Sequence, residues 1–251
     1  MNRKHIALAF ALAAMTGSSP AALVFLLGEN DPGAANGVAL NSTTDDAVGS
    51  HDLTRQDVGG TGGTYSSLTP GGASTLSAAF TGTQAYSATG SGFYTGMDLQ
   101  NFSFSVDVRP TGNVSGFSIA MALGQGGQGS IFLYHTGAGG AWNVHSNGIG
   151  NIITGGTVAY NTWQNLRVER VAGVLSFYVN NVQAGSSTAQ FTNTGTLGDT
   201  FTIGAHRTGA GIYEGRFQGQ IDNVQVVPEP SAIGLAVLGA LGTGLRRRRR
   251  A

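Results

Sequence analysis

Four aspartates lie close together in the first quarter of the sequence and could supply oxygen ligands to a metal ion. Asp45, Asp46, Asp52 and Asp57 stand in one glycine-flanked segment, and Ca²⁺ is held in proteins by carboxylate and carbonyl oxygens of loops. Asp45 and Asp46 are therefore candidate calcium ligands, with a solvated loop as the alternative. The sequence has no cysteine, which excludes thiolate metal sites, disulfides and a cysteine nucleophile.

A second candidate site surrounds the glycine turn in "SIFLYHTGAGGAWNVHSNG". Tyr134 and Trp142 stand near this turn, where aromatic rings could stack on the apolar face of a sugar. Trp142 also alternates with Val144, a pattern that equally predicts burial. His135 and His145 flank the same turn and could form a metal pair, but a register that pairs residue 135 with residue 142 or 143 separates the rings. Histidines on the surface of a hairpin are the alternative.

The sequence lacks the patterns of common hydrolases. Hydrolysis of a glycosidic bond needs two carboxylates across the bond, and the E-x-D-x-x-E motif that presents them on one strand is absent. Of Glu29, Glu169 and Glu214, only Glu29 has another acid nearby, Asp31. The G-x-S-x-G nucleophile turn is also absent, and "GQGGQG" at 124–129 lacks the lysine of a phosphate-binding loop. These absences predict a protein that is not an enzyme.

The distribution of charge argues against nucleic acid as a partner. The formal net charge of the whole chain is zero, but the basic residues are concentrated at its two ends. Residues 22–227 contain six arginines, no lysine and twelve acidic residues, a net charge of −6. A body of this charge has no basic surface on which phosphates could bind.

Between the two ends the apolar residues recur with a period of two, which is typical of strands that bury one face. Glycine accounts for 41 of the 251 residues and falls between the apolar alternations, where turns need it. No segment shows a helical stripe. In "NFSFSVDVRP" and "GFSIAMALG" the residues predicted to face one way are Phe102, Phe104, Val106, Val108, Phe117, Ile119, Met121 and Leu123.

Further strands follow from two hairpins and two late segments. One hairpin surrounds the glycine turn described above. The second is "TWQNLRVERVAGVLSFYVNNVQAG", in which residues 166, 168 and 170 oppose residues 175, 177 and 179 across "AGV". "DTFTIGAHR" and "GRFQGQIDNVQVV" supply the late strands, and the alternation slips between Ile221 and Val224, which predicts a bulge or burial on both faces. The fold class predicted is all-β, an antiparallel β-sandwich or jelly roll.

The order of these segments resembles the concanavalin A-like, LamG-type jelly roll. "NFSFSVDVRPTG" is similar to its early strand, and "NTWQNLRVERVAGVLSFYVNNV" to its central pattern, with Asn181 where glycine is usual. "GRFQGQIDNVQVV" resembles its closing strand, in which F-x-G-x-I-D-x-V recurs. The resemblance covers residues 23–227 and implies a fold shared by carbohydrate-binding proteins, glucanases and lyases.

The N-terminus "MNRKHIALAFALAAMTGSSPAAL" is built as a secretory signal peptide. Arg3 and Lys4 precede an apolar stretch from Ile6 to Met15, and "SPAA" provides small residues for cleavage. We therefore predict a signal peptide over residues 1–22 and export of the remainder.

The C-terminus "VPEPSAIGLAVLGALGTGLRRRRRA" combines three unlike elements. As a short hydrophobic helix, residues 231–245 would span about 22 Å, less than the ~30 Å hydrocarbon core of a bilayer. The arginines behind it would stay on the cytoplasmic side. The sorting elements are Pro228, Glu229, Pro230, Arg246, Arg247, Arg248, Arg249 and Arg250.

This order of elements closely resembles the PEP-CTERM sorting signal of Gram-negative bacteria. The resemblance implies that residues 228–251 are read by an exosortase-type membrane peptidase, which cuts near Pro-Glu-Pro. Contact with the membrane would then be transient, through the hydrophobic segment alone, and the body would pass to the cell envelope or extracellular matrix.

Together these features predict a secreted, non-catalytic protein of the surface or matrix that binds glycan or another component of the envelope or exopolysaccharide. Two alternatives stay open at this point. One is an extracellular polysaccharide-active hydrolase or lyase on the same fold, and the other is a structural matrix protein. Ca²⁺ is the one cofactor that the sequence suggests.

Overall fold

The computed structural model describes residues 23–47, 51–57, 60, 62–72, 74–89, 101–113, 116–124, 130–189, 200–208 and 210–228. Within these ranges the regular elements are strands, and no membrane-spanning helix is found there. The predicted signal peptide, the hydrophobic helix and the sorting elements from Glu229 onward lie outside the described residues.

The strands form two large antiparallel sheets and one small hairpin. Sheet A has the order β14 (Val182–Ser187), β13 (Val174–Val179), β12 (Gln164–Val171), β7 (Phe102–Pro110), β18 (Gln218–Pro228), β5 (Ser77–Thr81) and β4 (Thr64–Ser66), with β1 (Leu23–Phe25) also paired to β18. Sheet B has the order β11 (Gly150–Thr157), β10 (Ala141–Ser146), β9 (Ser130–His135), β8 (Ser118–Gly124), β15 (Thr200–Ile203), β6 (Gln84–Thr89), β3 (Leu53–Asp57) and β2 (Thr43–Thr44). The small hairpin pairs β16 (His206–Arg207) with β17 (Tyr213–Glu214).

The two large sheets pack face to face around one core. Strand β7 shows the reason, because its side chains alternate without a break between buried and half-buried. Phe102, Phe104, Val106 and Val108 are at most 1% exposed and join apolar residues of both sheets in one cluster. Each such side chain contributes about 1.5–3 kcal/mol of burial free energy. The predicted all-β antiparallel sandwich is confirmed.

The second predicted hairpin is confirmed residue by residue. Strand β12 pairs with β13 so that Leu166 opposes Val179 and Val168 opposes Phe177. Strand β13 then turns into β14 through Asn180 and Asn181, whose φ angles are 52° and 64°. Left-handed residues at both central positions make the turn that matches the strand twist, and asparagine tolerates this conformation better than most residues. Asn181 can therefore stand where glycine is usual.

The slip predicted in the last strand is a bulge. The register of β18 against β7 shifts between Asp222 and Gln225. Asn223 has a φ of 48° there, and this leaves Val224 and Val226 buried in the core.

The sequence predicted that Ile119, Met121 and Leu123 of "GFSIAMALG" all face one way. This prediction is wrong for strand β8. The register of β8 against β9 shifts between Ile119 and Met121. Met121 and Leu123 belong to the core, whereas Ile119 belongs to a separate apolar cluster with Phe132. All residues of β8 are buried, because other parts of the chain cover the outer face of the sheet at this strand as well.

Candidate functional site

An open groove lies on the outer face of sheet B, away from the core. Its volume is about 380 Å³, and its lining combines aromatic rings with polar side chains. The lining that matters for chemistry is Phe117, Phe132, Tyr134, Thr136, His145, Asn147 and Glu214. We call this the aromatic groove.

The floor of the aromatic groove consists of rings packed on one another. Phe132 and Tyr134 have ring centroids 5.9 Å apart, and Phe117 meets Tyr134 edge to face at 6.2 Å. His145 stacks on Phe132 at 4.6 Å. Phe132 is 7% exposed, while Phe117 and Tyr134 are half-buried. The rings therefore pack on each other and leave two of them partly exposed to solvent.

The local sequence explains this floor. Strand β9 alternates, so Phe132 and Tyr134 point outward where Ile131 and Leu133 point into the core. The bulge in β8 turns Ile119 to the same outer face. Gly215 closes the packing from above, since a Cβ at this glycine would lie 2.5 Å from Ile119 and 2.6 Å from Phe117.

One side of the groove carries a ladder of polar side chains across β9, β10 and β11. The hydroxyl of Tyr134 donates to Oδ1 of Asn151 at 2.9 Å, and Nδ1 of His145 lies 3.0 Å from the same oxygen. The amide of Asn151 donates to Oδ1 of Asn143 at 3.2 Å, and Thr154 donates to that atom at 2.7 Å. The hydroxyl of Tyr134 uses its proton in this network and keeps its acceptor capacity.

The opposite wall is an arm of the chain, residues 206–208 and 210–216, that lies against the outer face of sheet B. His206 is 2% exposed and packs on Phe132 at a centroid distance of 4.8 Å. Its Nδ1 lies 3.3 Å from Oε1 of Glu214, and its Nε2 lies 3.1 Å from the hydroxyl of Ser130. Burial lowers the pKa of His206, which favours a neutral ring. Because a carboxylate can only accept, Nδ1–H donates to Glu214 and the hydroxyl of Ser130 donates to Nε2.

This chain of contacts has the order of a serine-histidine-acid triad but the opposite exposure. A nucleophilic serine must reach the substrate while the acid orients the histidine from behind. Here Ser130 is 1% exposed, and the Glu214 side chain is 48% exposed at the groove. The arrangement therefore presents a carboxylate to a ligand and does not present a nucleophile.

The two histidines of the hairpin lie on opposite faces of sheet B. Strand β10 pairs with β9 so that Trp142 opposes His135 and His145 opposes Phe132, which is the register expected from sequence. His135 is 0% exposed, and neither ring nitrogen has a hydrogen-bond partner among the described residues. Desolvation lowers its pKa to about 4. His135 and His145 therefore cannot share a metal ion.

Of the two aromatic residues suggested as sugar-stacking groups, the structure brings one to the surface. Trp142 is 0% exposed, and its indole nitrogen donates to Gln164 Oε1 at 3.2 Å inside the sandwich. The alternation of Trp142 with Val144 also predicted burial, and Trp142 is indeed buried in the structure. Tyr134 is half-buried and lines the aromatic groove.

The suggested calcium ligands take part in internal contacts of the N-terminal segment. Asp46 is 7% exposed and accepts a hydrogen bond from the backbone of Val24 at 3.0 Å. The backbone of Asp45 donates to Asp31 at 3.1 Å, and the backbone of Asp46 donates to Asp52 at 3.1 Å. Among the described residues no group of three histidine or acidic side chains could hold a metal ion. Calcium binding by Asp45 and Asp46 stays a prediction.

A second cavity, of about 360 Å³, opens on the outer face of sheet A. Its lining is polar and includes Glu29, Ser74, Asp107, Asn165 and Asn223. We call this the carboxylate cavity. The two oxygens of Asp107 accept hydrogen bonds from the side-chain amides of Asn165 at 2.7 Å and Asn223 at 2.8 Å.

Asp222 lies behind the carboxylate cavity and is 0% exposed. One of its oxygens accepts from the backbone of Leu27 at 3.1 Å and of Asn223 at 2.7 Å, and the other accepts from the hydroxyl of Ser74. Burial raises the pKa of Asp222 to about 7, and the nearby charge of Glu29 acts in the same direction. Asp107 and Asp222 therefore accept hydrogen bonds at both carboxylate oxygens, whereas Oε2 of Glu29 has no partner among the described residues.

Sequence reasoning found Tyr134 but missed Phe117, Phe132, His206 and Glu214 as members of one site. Phe132 and Tyr134 alternate with Ile131 and Leu133 along the strand. This pattern could have indicated an aromatic surface exposed to solvent. Nothing local indicates that residues 206–208 and 210–216 lie against the outer face of β9, because that placement depends on the tertiary structure.

Comparison with known proteins agrees with this architecture. Residues 80–230 match the model of the concanavalin A-like lectin/glucanases superfamily, and residues 226–250 match the PEP-CTERM protein-sorting motif. No curated protein matches the chain.

Two solved structures illustrate the likeness in fold. Domain 4 of the extracellular GH43 arabinanase AbnA from Geobacillus stearothermophilus, described in complex with arabinotriose, aligns with a TM-score of 0.60 and 17% identity, covering 82% of this chain and 91% of that one. Trypanosoma rangeli sialidase aligns with a TM-score of 0.56 and 15% identity, covering 84% of this chain and 31% of the sialidase. At these identities the likeness shows a common fold. The family match covers more than half of the sequence, so the chain belongs to the concanavalin A-like lectin/glucanases superfamily and carries a PEP-CTERM protein-sorting motif.

Proposed function

We propose that this chain is a non-catalytic, saccharide-binding protein of the bacterial surface or exopolysaccharide matrix, and that the aromatic groove is its binding site. The observation that carries the proposal is the groove itself. Half-exposed rings lie between a polar ladder on one side and the Glu214 carboxylate on the other.

This arrangement matches the two chemical faces of a sugar. The C–H groups of a sugar ring form an apolar face that packs on aromatic rings such as Tyr134 and Phe117. The hydroxyl groups around the ring need acceptors and donors, which Glu214, Asn147 and the ladder supply. A binding site of this kind combines an apolar surface with a few polar groups that fix the orientation of the ligand.

The sorting motif places the protein outside the cytoplasm. A PEP-CTERM motif means export and transient anchoring in the membrane, followed by processing by an exosortase. The proposed division of the chain is a signal peptide over residues 1–22, one domain over residues 23–227 and the sorting segment over residues 228–251, with cleavage near Pro228, Glu229 and Pro230.

Binding is tested with the exported and processed protein against soluble arabinan, xylan, β-glucan, galactan and mannan. Arabinan is included because a domain of similar fold is described with arabinotriose. Affinity electrophoresis, followed by titration calorimetry with and without calcium, should detect binding of at least one of these chains. Failure to bind any of them would overturn the proposed function.

The enzyme alternative is tested by incubating the same polysaccharides with the protein and measuring released oligosaccharides. Hydrolysis needs two carboxylates facing each other across the bond, and Glu214 is the one carboxylate that lines the groove within the described residues. We expect no release, and turnover would replace the binding function by an enzymatic one.

The division at the C-terminus has its own test. Mass spectrometry of the exported protein should find a C-terminus near residue 230. Mature protein that still carries the five arginines would contradict processing at Pro-Glu-Pro.

A further inference from the structure

We infer that the aromatic groove selects uncharged saccharides and discriminates against uronate and sulfated chains, with Glu214 as the residue that sets this preference. The inference rests on the proposed function and adds the class of ligand. It follows from the way Glu214 is held and from the charges that face the groove.

Glu214 is held in place by the buried end of the arm. Residues 206 and 214 are paired across β16 and β17, and the His206 ring is fixed between Phe132 and Ser130. The bond from His206 Nδ1–H to Glu214 Oε1 occupies one lone pair of that oxygen. The Glu214 side chain lines the groove and is 48% exposed, so the carboxylate is accessible to a ligand there.

A carboxylate in this position accepts hydrogen bonds from sugar hydroxyls and repels anionic groups. Hydroxyl groups are donors that a carboxylate binds strongly. A uronate carboxylate or a sulfate brings a like charge and has no donor for Glu214, so the same contact becomes unfavourable.

No cation in the described lining compensates this charge. The residues that line the groove include neither lysine nor arginine. Arg207 and Arg216 belong to the same arm but do not line the groove, and the other ring near Glu214, His145, already contacts Asn151. The body as a whole has a net charge of −6, which acts against anionic chains in the same direction.

His206 is the positioning residue of this site. Its own pKa is lowered by burial, so it acts as a neutral donor that orients Glu214 and does not neutralise it. Replacement of His206 by leucine would keep the packing on Phe132 and remove the hydrogen bond. We expect weaker binding of the neutral chain and weaker discrimination together, because the carboxylate is then free to turn away.

The experiment compares each neutral polysaccharide that binds with its carboxymethylated derivative, which has the same backbone and added carboxylates. The exported and processed protein, Glu214→Gln and Glu169→Gln are measured by titration calorimetry at two salt concentrations. Glu169 pairs with Arg167 on the outer face of sheet A, so its replacement changes the net charge equally at a distance from the groove.

We expect the unmodified protein to bind the carboxymethylated chain about tenfold more weakly than the parent chain. In Glu214→Gln this ratio should fall to about threefold or less, and in Glu169→Gln it should stay within about twofold of the original. The expected salt dependence of the ratio is small, because the contact is local.

The possible failures are distinct. Equal or tighter binding of the carboxymethylated chain, or an equal response of the two variants, would overturn the inference and leave saccharide binding intact. Binding of neither class would overturn the proposed function and the inference with it.

Discussion

The aromatic groove and the carboxylate cavity differ little in volume, about 380 against 360 Å³, yet they use their polar groups in opposite ways. At the carboxylate cavity, Asp107 and the adjoining Asp222 accept hydrogen bonds at both carboxylate oxygens from their own neighbours. In the aromatic groove, the Glu214 side chain is 48% exposed and Tyr134 keeps its acceptor capacity. Volume alone does not separate the two.

The two regions indicate that a cavity suits a ligand when fixed polar groups at its surface leave hydrogen-bonding capacity unused. A buried carboxylate that is fully paired stabilises the fold. A carboxylate fixed at one oxygen and open at the other is prepared for a ligand. This contrast predicts that substitutions in the cavity change stability and that substitutions in the groove change binding.

The largest effect expected is the loss of stability in Asp222→Ala. The substitution leaves the backbone N–H groups of Leu27 and Asn223 without their acceptor, and buried donors without a partner cost about 1–3 kcal/mol each. We expect the free energy of unfolding to fall by about 4 kcal/mol and Tm by roughly 10 °C at pH 6, as measured by thermal denaturation.

Asp57→Ala is the matched control for Asp222→Ala. Asp57 is an exposed partner of Arg55, and exposed ion pairs contribute about 0–1 kcal/mol. Saccharide binding by the folded Asp222→Ala protein should stay within about twofold of the original. Equal losses of Tm in the two variants would contradict the structural role of Asp222.

The next effect is the pH dependence caused by His135. Its pKa is about 4 in the folded protein, below the ordinary 6.5. Between these values the unfolded chain binds the proton and the folded chain does not, so stability is lost as the pH falls from 6.5 to 4. The total is about 3 kcal/mol, and His135→Leu should remove it.

Chemical denaturation at several pH values, compared with His135→Leu at each pH, isolates this contribution. The comparison is needed because Asp222 acts with the opposite sign. Its folded pKa of about 7 lies above the ordinary 3.8, so its contribution falls as the pH rises from 3.8 to 7. Val144→Ala, a substitution in the core of the same hairpin, removes no titratable group and should lower stability without changing its pH dependence. A change in pH dependence equal to that of His135→Leu would contradict burial of His135 as the cause.

The fold was predictable where a local pattern determines the contacts. The period of two in β7 and the opposed positions of β12 and β13 follow from the alternation of Phe102 to Val108 and of Leu166 to Val171, because a strand has only two faces. The bulge near Asp222 was visible as a break in that alternation.

The aromatic groove was less predictable because its parts meet only in the folded chain. The bulge in β8 changes the face of Ile119 without breaking the apolar pattern, since both faces of that strand are buried. Glu214 is an isolated acid in the sequence, and its role depends on the contact of His206 with Ser130, 76 residues away. Trp142 was ambiguous because alternation with Val144 fits burial as well as exposure of the opposite face.

Tyr134→Ala tests the aromatic groove directly. The change expected in the free energy of saccharide binding is smaller than the stability changes above. The variant removes one of the two half-buried rings of the floor, and such aromatic anchors contribute about 2 kcal/mol to binding. We expect affinity for a neutral polysaccharide to fall by roughly 30-fold in titration calorimetry. Tyr178→Ala, on the outer face of sheet A beneath Arg167, should leave affinity unchanged, and a loss of equal size there would contradict the aromatic groove as the site.

The smallest changes in affinity and Tm are expected for a pair of substitutions, one in the aromatic groove and one in the carboxylate cavity. Asn151→Ala removes the acceptor that orients Tyr134 and contacts His145, and we expect a two- to fivefold loss of affinity, about 0.5–1 kcal/mol, with little change in Tm. Asn165→Ala removes a donor to Asp107 and should lower Tm by a few degrees without changing affinity. Titration calorimetry and thermal denaturation of both variants measure the four quantities. If both asparagines changed affinity and Tm alike, unused hydrogen-bonding capacity would not be what distinguishes the groove from the cavity, because the same side chain would then act in the same way in both.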